Sequence, residues 1–391
     1  MPERPSPADE ATLRTGQGPV GDTIEATEDT ELFFASQWTL IWRNFRKHRL
    51  ALVSLVITLI IYAIAIFAEF IAPYDPNSYA SDRTYAPPNQ LRLFDTSGDR
   101  TRLRLHVLGY SVERNTDTLA LEYVVDPDNV IPVGFFVRGE PYRLFGLIPG
   151  SIKLFGAKDP DARVHLIGAD RLGRDMLSRI IHGARVSMSV GLVGVIISLL
   201  VGITLGGASG YFGGWVDDVI QRIIEFIRSI PTIPLWLGLA AAVPRDWPVL
   251  RVYFAITIIL SFIGWTGLAR TVRGKFLSVR TEDFVLAAQL DNASQARIIG
   301  EHMLPAFTSH IIASMSLAIP QMIISETALS FLGLGLREPA VSWGVLLQNA
   351  QNIRAISQAP WLLWPAVAVI VSVLALNFVG DGMRDAADPY A

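Results

Sequence analysis

Residues 186–215 read VSMSVGLVGVIISLLVGITLGGASGYFGGW, thirty consecutive positions without a charged side chain. About 20 apolar residues in a helix cross a hydrocarbon core roughly 30 Å thick, so this block can span a membrane. It is not alone. Uncharged blocks also run over 50–68, 229–244, 252–269, 304–325 and 355–380. The block at 229–244 is short. It gains length from the apolar positions of 219–227, where Arg222, Glu225 and Arg228 recur every three residues and gather near one face. Six transmembrane helices are therefore expected. Of 391 residues, 51% are hydrophobic and only 18% charged, against about a quarter charged in a soluble domain. This excludes a disordered chain, a coiled coil and an ordinary soluble enzyme. A net charge of −3 gives no basic field for nucleic acid, and zero cysteines exclude disulfides, thiol catalysis and zinc–thiolate sites.

Orientation follows from the basic cluster Arg43, Arg46, Lys47, His48 and Arg49, which the positive-inside rule places in the cytoplasm. Six crossings return the C-terminus to that side. The loop 270–303, with Arg270, Arg273, Lys275, Arg280 and Arg297, falls there too. Residues 1–42 hold eight acidic and two basic side chains among Pro, Gly and Thr, so 1–37 is expected to be a disordered cytoplasmic tail. The first apolar block begins only at Leu50, too far in for a cleavable signal. Trp38, Trp42 and Phe45 at helical spacing predict an interfacial helix, which with the first span makes up 38–72. An extracytoplasmic insertion over 73–169 and a transmembrane core over 170–383 follow, with 384–391 a cytoplasmic tail. Within the insertion, Leu103, Leu105 and Val107 alternate with polar residues, and 133–137 and 142–145 flank Arg138-Gly139-Glu140 as hairpin strands would. Over 170–185 the period becomes helical. Leu172, Met176, Leu177, Ile180 and Ile181 share one face, and Arg171, Arg174, Asp175, Arg179, His182 and Arg185 the other. That pattern predicts an amphipathic helix on the outer surface.

Catalytic chemistry is thin. Gly274-Lys275-Phe276 is the nearest approach to a phosphate loop, and it lacks the spaced first glycine, a following Ser or Thr and a preceding strand. Gly207-Ala208-Ser209-Gly210 matches the G-x-S-G motif of rhomboid-type intramembrane proteases, with His310 in another span as its candidate partner. The crowd of Gly202, Gly206, Gly207, Gly210, Gly213 and Gly214 instead points to close helix packing. His302 and His310 lack a third ligand at metal-binding spacing, so no metal site is expected.

Residues 281–305 are more informative. Thr281 is placed to cap a helix whose first turn holds Glu282 and Asp283. That helix runs through Phe284, Ala287 and Ala288 to a turn at Asp291-Asn292. Ser294 then caps a second short helix, and Pro305 opens the fifth span. On composition alone, a plain interfacial loop fits better. The run Asp283-Phe-Val-Leu-Ala-Ala-Gln-Leu-Asp-Asn-Ala-Ser, with Arg297-Ile-Ile and His302-Met-Leu-Pro305, resembles the coupling-loop signature of binding-protein-dependent ABC importer permeases. The likeness is to the second permease subunit of the dipeptide, oligopeptide and nickel group. Trp42-Arg-Asn-Phe-Arg-Lys-His-Arg-Leu, His165-Leu-Ile-Gly-Ala-Asp-Arg-Leu-Gly-Arg-Asp175, Gly210-Tyr-Phe-Gly-Gly-Trp215 and Glu326-Thr-Ala-Leu-Ser-Phe-Leu-Gly-Leu-Gly335 are similar again. Leu286 stands where the signature has Glu, and Asn292 where it has Gly, so Asn292 must supply a left-handed turn residue.

The resemblance implies an all-α integral membrane protein of the type I ABC importer kind, with the MetI-like arrangement of six transmembrane helices and a β-rich extracytoplasmic insertion between helices 1 and 2. It implies a bacterial inner-membrane location, a second permease subunit, two ATPase subunits that bind ATP and Mg, and a substrate-binding protein, with no cofactor or nucleotide site in this chain. Peptides are the expected cargo; nickel chelates, opines and glycosides use similar permeases. Phe284, Ala287, Ala288, Asp291, Asn292, Leu304 and Pro305 are the expected ATPase-coupling residues. Ser309, Ala313, Ser316 and Pro320 form a small, mildly polar stripe that suits a translocation path or a tight helix interface. Glu326 follows Pro305 by about 30 Å of helix and should reach the outer mouth. Arg171, Arg174, Asp175 and Arg179 face the binding protein's side, as a docking surface or as an interfacial anchor. A secondary transporter, with inverted repeats and mid-membrane charges, and the Ser209–His310 protease remain as rivals.

Overall fold

A computed structural model describes residues 37–95, 102–114 and 121–387. The expected N-terminal tail therefore lies outside the described residues, apart from its last position. The chain begins with α1 (Gln37–Lys47), α2 (Arg49–Ile66) and the single turn α3 (Ala68–Ile71). Strands β1 (Leu91–Asp95), β2 (Arg102–Arg114), β3 (Leu121–Leu144) and β4 (Ile148–Ala157) follow. Next come α4 (Met176–Phe212), α5 (Gly214–Ser229), α6 (Thr232–Ala241) and α7 (Val249–Val279). After α7 lie α8 (Asp283–Leu290), α9 (Gln295–Arg297), a π-helical stretch Ile298–Met303 and α10 (Leu304–Ala306). The chain ends with α11 (Thr308–Phe331), α12 (Trp343–Asn349), α13 (Ile353–Gln358) and α14 (Trp364–Ala387).

Among the described residues, α2, α4, α7, α11 and α14 with its preceding 3₁₀ turn are long and apolar enough to cross a membrane. A sixth crossing requires α5 and α6 together, and these meet at 87°. The expected straight third span is therefore a bent pair. Proline accounts for the break: Ile230, just before Pro231, is extended at φ −87° and ψ 131°, because a following proline disfavours the helical region.

The glycines explain the packing. A Cβ on Gly206 would lie 2.4 Å from the Ala269 carbonyl oxygen, and one on Gly210 would lie 2.5 Å from Phe276 Cβ. Small residues thus let the backbones of α4 and α7 meet, which is how helices associate where lipid offers no hydrophobic driving force. Helix α14 packs against α2 and α11, and a Cβ on Gly382 would lie 2.3 Å from Ala51 Cβ. The amphipathic α1 buries Phe45 against Val379 and Ala386 of α14 and leaves Trp42 exposed. The expected C-terminal tail is helical through Ala387.

The insertion is a four-stranded antiparallel meander, β1-β2-β3-β4. Residues 133–144 all lie in β3, which pairs first with β2 and then with β4, so Arg138-Gly139-Glu140 is no hairpin turn. It marks a register shift between Arg138 and Tyr142. The true turn is Phe145-Gly146-Leu147, with Phe145 (φ 54°) and Gly146 (φ 72°) both left-handed, as tight hairpins require. Val107, Ile131, Val133, Ala157 and Val164 form a small core under the sheet, while Leu103 is exposed.

Candidate functional site

Helix α8 hangs between α7 and α11. Its N-cap position is held by Glu282, with no side-chain cap, and the Thr281 hydroxyl donates to the Ser278 carbonyl instead. Val285 and Ala288 are buried in a cluster with Val272 and Phe276 of α7, then Ile298, Met303, Phe307 and Ile311. Phe284, Leu286, Ala287 and Leu290 face outward, Leu290 being 87% exposed. Ala288, expected on a docking face, thus packs against its own subunit. The helix ends in a Schellman turn: Ala293 N–H donates to the Ala288 carbonyl and Asn292 N–H to that of Gln289, both at 3.1 Å. Asn292 adopts φ 59° with Asp291 as the C-cap, so it occupies the left-handed position a glycine would fill.

Beyond it, Ser294 Oγ accepts from Arg297 N–H to cap α9. The chain passes through the π-helical stretch and α10, which contains Leu304 and Pro305, to a break at Phe307 (φ −131°, ψ 22°). Span five starts at Thr308, so Pro305 does not open it directly. The Phe307 ring meets Phe276 edge-on at 5.4 Å.

On α11, Ala313 and Pro320 are buried within the subunit, and the half-buried Ser316 donates to the Ile312 carbonyl. Ser309, at its start, is half-buried. The other face matters more. Ala318, Gln321 and Ser325 line a cavity of about 290 Å³ with Ser198, Thr232, Trp236 and Gly264. The Trp236 indole N–H is buried there without a hydrogen-bond partner.

Glu326 reaches no open mouth. It is fully buried, and the hydroxyls of Ser187 (3.1 Å), Ser330 (2.8 Å) and Ser342 (2.8 Å) donate to its carboxylate. Each of those serines also accepts a backbone N–H, from Trp343, Leu336 and Val345 respectively. One carboxylate therefore orients three hydroxyls that tie α4, α11 and the start of α12 together.

Of the surface helix expected over 170–185, only 176–185 is helical, as the start of α4. Gly173 has φ 70°, and a Cβ there would lie 1.9 Å from the Ala80 carbonyl oxygen, so the helix begins only at Met176. Asp175 is its N-cap and accepts from Ser178 N–H at 2.8 Å. Arg174, Asp175 and Arg179 are all buried, and of the four docking candidates only Arg171 is exposed. The two buried arginines share Asp170 and Glu338, with Arg174 at 2.6 Å and Arg179 at 3.0 Å from Glu338 Oε1. Burial alone would raise the Glu338 carboxyl, but the hydrogen bonds and charges of these arginines hold its pKa at about 2.

The protease arrangement is not assembled. The Ser209 hydroxyl donates to Asp217, which also binds Arg273 Nε at 2.6 Å, and this cluster fastens α5 to the ends of α4 and α7. No group of three or more metal-capable side chains occurs among the described residues.

Residues 198–390 match the family described as binding-protein-dependent transport system inner membrane components. Residues 36–88 match the N-terminal transmembrane domain of oligopeptide transport permease C. The chain is 34% identical to the oligopeptide transport system permease protein OppC of Bacillus subtilis over 240 residues, 61% of this chain and 76% of that protein. The chain belongs to the binding-protein-dependent transport permease family. This permease is also 37% identical to the dipeptide transport system permease protein DppC of Bacillus subtilis, over 59% of this chain and 70% of that one. With the OppC of Haemophilus influenzae it shares 38% identity, over 58% of this chain and 70% of that one. It is a multi-pass membrane protein. The family matches leave 89–197 uncovered, which includes the whole β-meander and the ion cluster of Asp170, Arg174 and Arg179.

Sequence reasoning missed two sets of partners in this permease. Asp170 and Glu338 complete the arginine cluster, and three serines complete the Glu326 hub. For the first, a signal was present: the glycines of Gly168-Ala-Asp170-Arg-Leu-Gly173 disfavour a helix through Arg174 and favour the left-handed turns that Gly168 and Gly173 adopt.

Proposed function

We propose that this permease forms, with a second permease subunit, the transmembrane path of an ABC importer for peptides. A binding protein delivers the peptide, and two separate ATPases bind Mg–ATP and drive the cycle. This chain itself carries no ATPase site, and both its termini lie in the cytoplasm. The observation that carries the reading is the outer face of α8, where Phe284, Leu286 and Leu290 stand exposed on a helix fixed from behind by Val285 and Ala288. Exposed apolar groups on a rigidly backed helix suit insertion into a groove of a partner protein. The peptide cargo is supported by the names of the relatives, an oligopeptide and a dipeptide permease. Lining the path falls to Ala318, Gln321 and Ser325 at the cavity.

The test is Ala287→Arg in the assembled transporter, since Ala287 is exposed and its replacement leaves the buried side of α8 alone. ATP-dependent uptake of labelled dipeptide into proteoliposomes should be lost while the complex remains in the membrane. Cysteine at Gln289 should cross-link to an ATPase. Normal uptake by Ala287→Arg together with no ATPase adduct would refute the coupling role. Robust ATP hydrolysis by this chain purified alone would refute the division of labour.

A further inference from the structure

We propose that the β3–β4 hairpin dips its tip into the phospholipid interface at the C-terminal end of α2, anchoring the insertion to the membrane surface. The tip is Phe145-Gly146-Leu147-Ile148, and its side chains are turned out: Leu147 is 82%, Ile148 59% and Phe145 54% exposed. Phe136 (68%) and Ile152 (50%) extend the patch along the same two strands. Exposed apolar side chains gathered at a hairpin tip mark an interaction site.

The contacts of the hairpin show which way it points. Phe136 in mid-β3 lies 6.2 Å from Phe70 of α3, and Lys153 Nζ donates to the Glu69 carbonyl at 2.9 Å. Nearer the tip, Phe145 lies 6.3 Å from Phe67, the residue that ends span one. Between Phe136 and Phe145, in the bulge, Glu140 accepts from Asp75 N–H and the Ser78 hydroxyl outside the span, and the tip then returns to the end of span one. Leu147 lies with Gly146 in the turn beyond that last contact, and Ile148 pairs with Leu144 just behind it. Phe67, which the tip touches, and Ile66 are themselves 44% and 45% exposed, as are Leu59 and Ile60 further along α2 at 58% and 53%.

Two further features fit a phospholipid surface better than a protein partner. Arg143 is exposed beside the apolar tip and Arg138 further up the same strand, where their stems can lie along apolar side chains and their guanidinium groups can meet phosphates. Phe136 and Phe145 both hold φ 54°, a left-handed conformation that costs a bulky residue free energy and is at ease only for glycine or asparagine. Both strained positions carry exposed aromatic rings against the end of span one.

The test places one nitroxide at Leu147→Cys in the cysteine-free full-length chain, with a second variant labelled at the exposed Asp128→Cys as a water-facing reference. The assembled transporter is reconstituted into nanodiscs of phosphatidylcholine and phosphatidylglycerol. Power-saturation spectroscopy then compares collision with oxygen, which concentrates in lipid, and with a water-soluble nickel chelate. The Leu147 label should be several-fold more accessible to oxygen than to the chelate, and the Asp128 label should show the reverse. A Leu147 label as open to the chelate as Asp128 would overturn the proposal. So would one shielded from both reagents, which would place the tip against a protein. The outcome is independent of cargo and of coupling, so it stands or falls separately from the transport reading.

Discussion

Replacing Glu326 by alanine should be among the most damaging single changes in this protein, although the residue contacts nothing outside its own subunit. The carboxylate accepts three serine hydroxyls in a fully buried setting. Hydrogen bonds between membrane helices average about 0.6 kcal/mol by double-mutant cycles, which sets a floor of about 2 kcal/mol for three. Leaving a buried donor unsatisfied costs about 1–3 kcal/mol, and that sets a ceiling near 9 kcal/mol. The real value should lie well above the floor, because the three serines also accept the N–H groups of Trp343, Leu336 and Val345, and their orientation is lost with the carboxylate. Glu326→Gln keeps the volume and one carbonyl acceptor, so it should fall between wild type and Glu326→Ala. Reversible unfolding of the purified permease in mixed detergent and dodecyl sulfate measures the three proteins directly. If Glu326→Ala unfolded within about 1 kcal/mol of wild type, below the summed floor for three bonds, the hub would not be holding the helices together.

Four other outcomes follow from specific contacts. Gly206→Val should block assembly of α4 on α7, because even a Cβ meets the Ala269 carbonyl oxygen at 2.4 Å; a sharp loss of folded yield in detergent checks it. Among single cysteines on α11, Gln321→Cys should react with a water-soluble thiol reagent in at least one transport state, whereas Ala313→Cys should stay protected throughout. Glu338 is depressed to about 2, so its ion cluster stabilises the fold fully above the unfolded carboxyl value near 4.3 and loses that contribution as pH falls toward 2. Unfolding measured across that acid window should show a slope of up to about 3 kcal/mol in total, and Glu338→Gln should flatten it. Asn292→Val should destabilise the α8 turn by roughly 1 kcal/mol or more, because a β-branched residue resists φ 59°, while Asn292→Gly should be neutral or stabilising.

Much of this architecture was legible in the sequence because hydrocarbon imposes a single rule, long uncharged helices, on every span. The limits of that rule locate the errors. The bend in the third span was missed because two helices separated by Pro231 can share one apolar composition whether straight or bent at 87°. The arginines at 174 and 179 failed because helical period was read through Gly173, whose positive φ forbids it. Glu326 failed because rise per residue gives depth along an axis and says nothing about which neighbours surround it. Its acceptor role depended on Ser187, which is 139 residues away. The left-handed Asn292 was legible because it stands, in a turn, where the resembled coupling signature has Gly.

The same distinction bears on how force from an ATPase at α8 would travel. A rigid exit through Pro305 into span five is absent, since a π-helical stretch, α10 and the break at Phe307 intervene. Such a path would absorb a displacement by changing backbone angles. The packed route is stiffer. Val285 and Ala288 press on Phe276 and Val272 of α7, Phe276 meets Phe307 edge-on, and Ile311 brings the base of α11 into the same cluster. Helix α7 is in turn bound to α4 through glycine contacts that leave no room for slippage. Close-packed side chains move as a unit because voids are costly, so a push on α8 should shift α7 and α4 together and swing α11 about Phe307. Phe307→Ala would open a gap in that cluster, at a cost of about 3–5 kcal/mol if the site cannot collapse. Its sharper signature is functional. In the assembled transporter, Phe307→Ala should retain ATP hydrolysis while peptide uptake falls, and a variant in which both fall together or neither does would return the transmission to the backbone connection.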